Sequence, residues 1–470
     1  MKKGQILENV TIEKLVFWGK WFAKHESGKT IFVTGGAIPG SIVDLKVIKK
    51  RTGYVMTQIV NTVKKSPIEK KHPNNPWGET WWCKWVNIPY EEQLKIKQEQ
   101  IVESFFHLEK YQKDITFEPI VPSPLVDGYR NKAEFSFGKH ISAKNNIEEH
   151  FNVWFHKQGM FSQIEDFDGC ILTDKLVNDV YLDIKTFAKA SWLPVYDQKW
   201  HTGFFRHIIF RRAFFTDEMM VILSFNPHYN DWDIDLDMIK EYFKWLAERF
   251  WEIKSIYLSH NDNKADTAIW RLELIHGKET VDETVLWLTF EISPKSFFQT
   301  NSHWAEVLYS KVVEFANKDN IESWTVLDLY AGTGTIGMIF SKFAKHVTSV
   351  EPVESATENG KKNAVKNKIE NIDFVNAKVE DFLWKYLETW EKADLLIIDP
   401  PRAGMHPKAL PNIMKFESKQ MIYVSCNPAT LSRDLEEIIK DWEYSIEKVC
   451  AVDMFPHTHH IEVVVSLVRN

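Results

Sequence analysis

The spacing of hydrophobic and polar positions changes character along this 470-residue chain. Between residues 4 and 64, short β-branched runs alternate with polar positions: Asn9-Val10-Thr11-Ile12, Lys29-Thr30-Ile31-Phe32-Val33, Ser41-Ile42-Val43-Asp44-Leu45-Lys46-Val47 and Tyr54-Val55-Met56-Thr57-Gln58-Ile59-Val60. Gly and Pro turns separate them, so the segment is expected to form a small antiparallel barrel. Strand spacing alone fits several barrels of that size. From Pro67 to about Pro89 the chain is irregular and rich in Pro and Trp, and Tyr90-Glu91-Glu92-Gln93-Leu94 opens a helix expected to run to Lys110. Residues 119 to about 290 read as short strands with one helical stretch near 235 to 250. From about residue 291 strands alternate with helices, which predicts a parallel sheet covered on both faces. Residues 447 to 455 and 461 to 467 then read as a closing antiparallel hairpin. The fold class is therefore α/β, divided into a barrel at 1–66, a linker and central α+β domain at 67–290, and a C-terminal domain at 291–470.

The ends of the predicted parallel strands carry the chemistry, as open α/β sheets require. Val326-Leu327-Asp328-Leu329-Tyr330-Ala331-Gly332-Thr333-Gly334-Thr335 is a strand entering a glycine-rich turn, and Leu395-Leu396-Ile397-Ile398-Asp399-Pro400-Pro401-Arg402 is a second strand end. Met421-Ile422-Tyr423-Val424 runs into Ser425-Cys426-Asn427-Pro428-Ala429-Thr430-Leu431-Ser432-Arg433-Asp434-Leu435, which sets a cysteine where a strand gives way to a turn and a helix. An isolated cysteine there is ordinarily a small core residue. The surrounding segment marks Cys426 as a nucleophile, whereas Cys450, mid-strand with no such setting, reads as core.

Composition changes the picture in two respects. The formal net charge is −7, but residues 1 to 71 carry fourteen basic against five acidic side chains, a net +9 that leaves −16 for the rest. A basic N-terminal module on an acidic body favours phosphate attraction, with a lysine-rich solvated surface as the plainer reading. The four cysteines are scattered without a CxxC pair, which fits a reducing compartment. With no signal-peptide core and no uncharged run long enough to span a bilayer, a cytoplasmic protein is expected, with no membrane association and no obligate protein partner.

These segments resemble the RNA uracil-5 methyltransferases of the RumA/TrmA type. Ser296-Phe297-Phe298-Gln299-Thr300-Asn301 is similar to that family's SFFQxN box, and Pro456-His457-Thr458-His459-His460-Ile461-Glu462-Val463-Val464 to its HxE segment. Gly128-Tyr129-Arg130-Asn131-Lys132 and Phe205-Arg206-His207-Ile208-Ile209-Phe210-Arg211 resemble boxes of its central domain, although Tyr129 and Phe210 read equally as core. The resemblance implies a class I, Rossmann-like methyltransferase domain behind an OB-like TRAM barrel that binds RNA. It implies S-adenosylmethionine as cofactor, with Gln299, Tyr330, Gly332, Gly334, Glu351 and Asp399 around it. It implies Cys426 as the nucleophile that attacks uracil C6, and Glu462 as the base that removes the C5 proton. His460, two residues earlier, is expected on the same side of the strand. Phe297, Phe298 and Arg402 are the substrate-side candidates, the phenylalanines for stacking on a flipped uridine. Arg402 fills a place where amino-group methyltransferases carry an aromatic residue, which favours carbon methylation. The barrel favours 23S rRNA as substrate, with tRNA the alternative and a catalytically silent RNA-binding or assembly factor the other class.

Some positions depart from the family. Many members hold an iron–sulfur cluster on four cysteines. Here Asn74 and Thr80 stand at two ligand positions and only Cys83 and Cys170 remain, so no cluster and no other metal is expected. Lys378 stands where relatives often have Asp or Asn, and Ala331 replaces a frequent Cys. Nineteen tryptophans are several times ordinary usage, and Trp81, Trp82, Trp18 and Trp21 stand where relatives have glycine, the latter two in an expected barrel turn. Either the source reads UGA as glycine, or the protein is Trp-rich and stacks RNA.

Overall fold

A computed structural model describes residues 1–16, 20–24, 28–34, 36–73, 83–141, 148–157, 160–229, 236–265, 267–316, 321–388, 392–441 and 443–470. They divide into two compact units, the first comprising Met1–Val126, Pro400–His406 and Ile422–Asn470, the second Asp127–Asp399 and Pro407–Met421. Asn74, Thr80, Trp81, Trp82 and Trp18 lie outside the described residues.

The first unit begins with a six-stranded sheet. Its spatial order is Ile6–Thr11, Ile42–Lys50, Tyr54–Lys64, Thr30–Thr34, Lys20–Lys24 and Lys14–Val16. Alternate residues point inward, as the two-residue period of a strand dictates, so Ile31, Val33, Val43, Leu45, Val47 and Val55 share one core with Leu15 and Trp21. Two details differ from the antiparallel barrel expected. Thr30–Thr34 and Tyr54–Lys64 run parallel. The strands Lys14–Val16 and Lys20–Lys24 carry few β-branched residues and so gave no signal. Trp21 is a buried strand residue paired with Leu15 and Val33, not part of a turn.

The helix Tyr90–Phe105 follows, with Glu91 and Glu92 in its first turn, where negative charge complements the helix dipole. It ends earlier than expected, tightening into a 3₁₀ turn at Phe106–Lys110. At the C-terminus, Tyr444–Val452 and Glu462–Arg469 form the closing antiparallel hairpin, with Val452 opposite Glu462 and Cys450, fully buried, opposite Val464. Gln420–Ser425 neighbours Glu462–Arg469 in this sheet.

The second unit opens with a central sheet in the order Arg271–Gly277, Ile253–His260, Glu218–Phe225, Phe205–Ala213, Lys132–Ile141 and Glu148–Trp154. Tyr129 and Phe210 are core residues, 0% exposed. Among the described residues, two helices accompany this sheet where one was expected. Leu236–Arg249 was anticipated, but Lys175–Ala190 was not. Its signals are local: Asp174 caps it by accepting from Val177 N at 3.0 Å, and Val177, Val180, Tyr181, Ile184 and Ala188 bury one face. The same unit carries the parallel strands Ile372–Asn376, His346–Glu351, Thr325–Leu329 and Leu395–Ile398, adjacent in that order and separated in sequence by helices. Among the described residues, no helix is long and apolar enough to cross a membrane.

Candidate active site

In the second unit, strand Thr325–Leu329 ends in a turn with three residues at positive φ: Tyr330 at 61°, Gly332 at 57° and Gly334 at 72°. Glycine adopts this region freely, but Tyr330 does so at a cost of roughly 1–2 kcal/mol, and such strain concentrates where a ligand is clamped. A Cβ on Gly332 would meet only Phe297 Cδ1, at 3.9 Å, so its main chain faces open space. Gly332 N donates to Glu351 Oε2 at 3.0 Å, and Glu351 Oε1 accepts from Val353 N at 2.9 Å. The acidic residue that ends the neighbouring strand therefore also fixes the glycine turn, and each oxygen keeps capacity to accept from a ribose diol.

Two buried carboxyls underlie this turn. Asp328, 1% exposed, accepts from Gly337 N at 3.0 Å and Ser349 Oγ at 3.1 Å. Burial, with Glu351 nearby, pushes its pKa up to about 7. Asp399 follows strand Leu395–Ile398 and donates its own main-chain N to Leu329 O at 3.3 Å. Part of its residue surface reaches solvent, yet the carboxyl itself is desolvated, and that burial together with Asp328 pushes it up to about 7. A cationic group arriving at Asp399 would favour its ionised form. The turn, Glu351 and Asp399 are a donor and acceptor set that suits a nucleoside bearing a diol and a positive charge.

The SFFQTN segment beside Gly332 is held by two residues that sequence reasoning did not single out. Asn131 Nδ2 donates to Gln299 O and to Ser302 Oγ, both at 2.8 Å. Arg211 Nη2 donates to Pro294 O at 2.9 Å and Ser296 O at 2.7 Å. Burial pulls the Arg211 guanidinium down to about 10, which still leaves it charged at neutral pH. Both lie in the central-domain boxes noted in the sequence. The two phenylalanines separate: Phe298 packs on Phe290 and the core cluster around Ile209 and Ile222, whereas Phe297 is 67% exposed. Gln299 is half-buried.

In the first unit, Cys426 is partly exposed between strand Gln420–Ser425 and helix Pro428–Ile439. Asn427 caps that helix by accepting from Ala429 N at 3.2 Å, and Pro428 presets its first turn. Glu462 is 6% exposed at the start of the last strand. His460 stands ahead of that strand, in the loop, so strand alternation does not govern it as expected.

Arg402 joins the two segments. Its carbonyl accepts from Asn427 Nδ2 at 2.7 Å and Thr430 Oγ1 at 3.2 Å, next to Cys426. Its Nη2 lies 3.2 Å from His460 Nδ1, two residues before Glu462. Since Arg402 donates, that ring nitrogen accepts. The His459 ring lies tilted by 35° against His460, 4.2 Å between ring centres, and burial together with Lys84, Lys97 and Arg402 pushes His459 down to about 4, so it is neutral at physiological pH. The Arg433–Asp434 pair shapes the same turn: Arg433 Nη2 donates to Ala403 O at 3.0 Å, and Asp434 Oδ2 accepts from Met405 N at 2.8 Å and Tyr423 Oη at 2.7 Å. Neither role was read from sequence, because the partners sit about thirty residues away in a turn of no regular structure.

Known proteins match along the chain's full length. An RNA methyltransferase of Caldanaerobacter subterraneus, itself uncharacterized, is 36% identical over 99% of both chains, and one of Clostridium tetani is 37% identical over 100% of this chain and 99% of the other. The crystal structure of the Pyrococcus abyssi tRNA (uracil-54, C5)-methyltransferase in complex with S-adenosyl-L-homocysteine superposes with a TM-score of 0.74, at 26% identity, covering 98% of this chain and 100% of that one. The family model described as tRNA (uracil-5-)-methyltransferase matches residues 89–470. With the glycine turn, paired acidic residues and capped cysteine above, these matches establish that the chain belongs to this family of S-adenosylmethionine-dependent RNA uracil-5 methyltransferases.

Proposed function

We propose that the chain methylates C5 of one uridine in 23S rRNA through a covalent enzyme–RNA adduct, in the cytoplasm. The observation that carries this reading is Arg402, which ties Asn427, next to Cys426, to His460, two residues before Glu462. Uracil C5 is a poor nucleophile until the ring gains electrons. The Cys426 thiolate supplies them by adding to C6, which turns the 4-carbonyl into an enolate and makes C5 nucleophilic. Gln299, Tyr330, Gly332, Gly334, Glu351 and Asp399 would hold S-adenosylmethionine, which would supply the electrophilic methyl group. Glu462 then accepts the C5 proton, and the C5=C6 bond reforms as the Cys426 sulfur leaves. Phe297 offers a stacking face for the unpaired base, and Arg402 an edge-on donor. Phe298, packed into the core, keeps only a supporting part.

The N-terminal barrel supports the ribosomal substrate, and its basic charge suits either RNA. A tRNA substrate is the second reading, favoured by the substrate named for the Pyrococcus abyssi relative. Incubation with methyl-labelled S-adenosylmethionine and unmodified ribosomal or transfer RNA separates the two. Labelled 5-methyluridine in 23S rRNA, lost in Cys426→Ala, is expected. Label confined to tRNA would replace the substrate, and no label despite cofactor binding would point to a silent RNA-binding factor. We further propose that no iron–sulfur cluster is held, because two thiolates, Cys83 and Cys170, do not satisfy a cubane; iron and sulfide in anaerobically purified protein would overturn this.

A further inference from the structure

The helix Tyr90–Phe105 turns polar side chains inward. Gln93 and Lys97, one helical turn apart, are each 0% exposed, where an amphipathic helix ordinarily places apolar residues. Lys97 Nζ lies 2.6 Å from Asp453 Oδ1, with neither side chain reaching solvent, and also donates to Phe455 O at 3.2 Å. Asp453 Oδ1 accepts in turn from Phe455 N at 3.2 Å. Gln93 grips His457 from both sides: its Oε1 accepts from His457 N at 2.8 Å, and its Nε2 lies 3.1 Å from His457 Nδ1. His457 holds φ at 63°, a conformation that needs external support. All these contacts fall on the loop that leads from strand Tyr444–Val452 into Glu462.

Stability does not explain the arrangement. A buried ion pair costs about as much in desolvation as it returns in attraction, and apolar replacements are often as stable. The best-attested use of such a pair is to fix register. The same helix also reaches the nucleophile's helix, where Ser432 Oγ donates to Ser104 O at 2.6 Å. One rigid element is thus bonded to the helix that follows Cys426 and to the loop that precedes Glu462.

We propose that Gln93, Lys97 and Asp453 are positioning residues for the elimination step, holding Glu462 against the C5 proton of the methylated adduct. The inference rests on Glu462 being the base. In that step the C5–H bond breaks, the proton passes to the Glu462 carboxylate, its electron pair forms the C5=C6 bond, and the C6–S bond breaks with its pair returning to Cys426 sulfur. Attack by Cys426 and methyl transfer come earlier, so a loop displaced by about 1 Å slows release of product more than formation of the adduct.

The test uses the full chain in single-turnover reactions with methyl-labelled S-adenosylmethionine and an RNA that wild type methylates. Lys97→Met/Asp453→Leu removes both charges together, and Gln93→Leu leaves the ion pair intact. Cofactor binding and thermal unfolding identify folded variants. In either, methyl-labelled RNA joined to protein on a denaturing gel is expected to persist about 10- to 100-fold longer than in wild type, and deuterium at uridine C5 to slow its release more than in wild type. Glu103→Ala, which breaks an exposed pair between this helix and Lys14, is expected to behave as wild type. Glu462→Gln tests the underlying reading by itself: failure to trap the labelled complex removes the base assignment. If Glu462→Gln traps it while the folded variants release product at the wild-type rate, or lose adduct formation and release together, the positioning role is overturned.

Discussion

The glycine turn of the second unit and the Cys426 and Glu462 segments of the first are both held rigidly, by opposite means. Around the turn, side chains fix the main chain itself. Tyr330, Gly332 and Gly334 take positive φ, Glu351 fixes a backbone N–H, and Asn131 and Arg211 grip carbonyls of the SFFQTN segment. Around Glu462, side chains hold one another, in the pairs Gln93–His457, Lys97–Asp453 and Arg402–His460. A backbone site suits a cofactor that binds the same way in every cycle. A side-chain network suits the base proposed at Glu462, whose placement must be right for one proton.

The sharpest break of this comparison is Cys426→Ala. Loss of the nucleophile is expected to lower 5-methyluridine formation on the order of 10⁴-fold or more, the scale of removing a covalent catalyst. Calorimetric affinity for S-adenosylmethionine should stay within about twofold of wild type, since every cofactor candidate lies in the other unit. A parallel loss of cofactor binding would show that the two regions are not separable.

A smaller effect sharpens the backbone side. The Asp399 carboxyl titrates at about 7 in the free protein because burial and Asp328 disfavour its charge. A sulfonium ligand with an ammonium group binds the ionised form better. Affinity for S-adenosylmethionine is therefore expected to be flat above pH 7 and to fall toward tenfold per pH unit below it, and Asp399→Asn to remove that slope. The sign differs for stability: a carboxyl raised on folding stabilises the protein below its unfolded pKa and loses that contribution as pH rises through about 7. The apo protein of Asp399→Asn should gain in thermal midpoint over wild type at pH 8 and not at pH 4.

The clamp on the SFFQTN segment gives the next step down. Asn131→Ala leaves the Gln299 carbonyl and the Ser302 hydroxyl without their buried donor, a loss of about 1–3 kcal/mol in stability by denaturant unfolding. Cofactor affinity is expected to drop about three- to tenfold, with adduct release from Cys426 unchanged. An effect on release instead would place Asn131 on the side of the base.

The same contrast explains what was legible in the chain. Gly332, Gly334, Glu351 and Asp399 announced themselves because a turn at a strand end is a local matter, written in a few adjacent residues. Cys426 was legible for the same reason: strand, cysteine, Asn cap and Pro follow one another. The polar face of helix Tyr90–Phe105 was not, because Gln93 meets His457 across 364 positions and Lys97 meets Asp453 across 356. Read locally, those two side chains belong on a solvated helix face. Helix Lys175–Ala190 was missed despite local signals, since Val177, Val180 and Ile184 raise strand propensity in any short window. Long-range hydrogen bonds decide where polar groups are buried, and no local period records them.

The smallest predicted effect concerns a tryptophan. Helix Lys175–Ala190 ends at Ser191, and Trp192 follows at φ 60°, 94% exposed, with Pro194 two residues beyond. That is the position where helices stop on a left-handed glycine ahead of a proline. A bulky residue there costs roughly 1–2 kcal/mol in backbone strain, and at this exposure the indole returns almost nothing by packing. Trp21, by contrast, is a buried strand residue that a glycine would hollow out. Trp192→Gly is therefore expected to stabilise the protein by about 1 kcal/mol after the entropy cost of glycine, and Trp21→Gly to unfold it. If peptide masses from the native host show glycine at 192 and tryptophan at 21, UGA is read as glycine at the first codon and the excess of tryptophan is a matter of decoding. Tryptophan at both, with Trp192→Gly neutral in stability but weaker in RNA binding, would instead make the exposed indole a stacking surface.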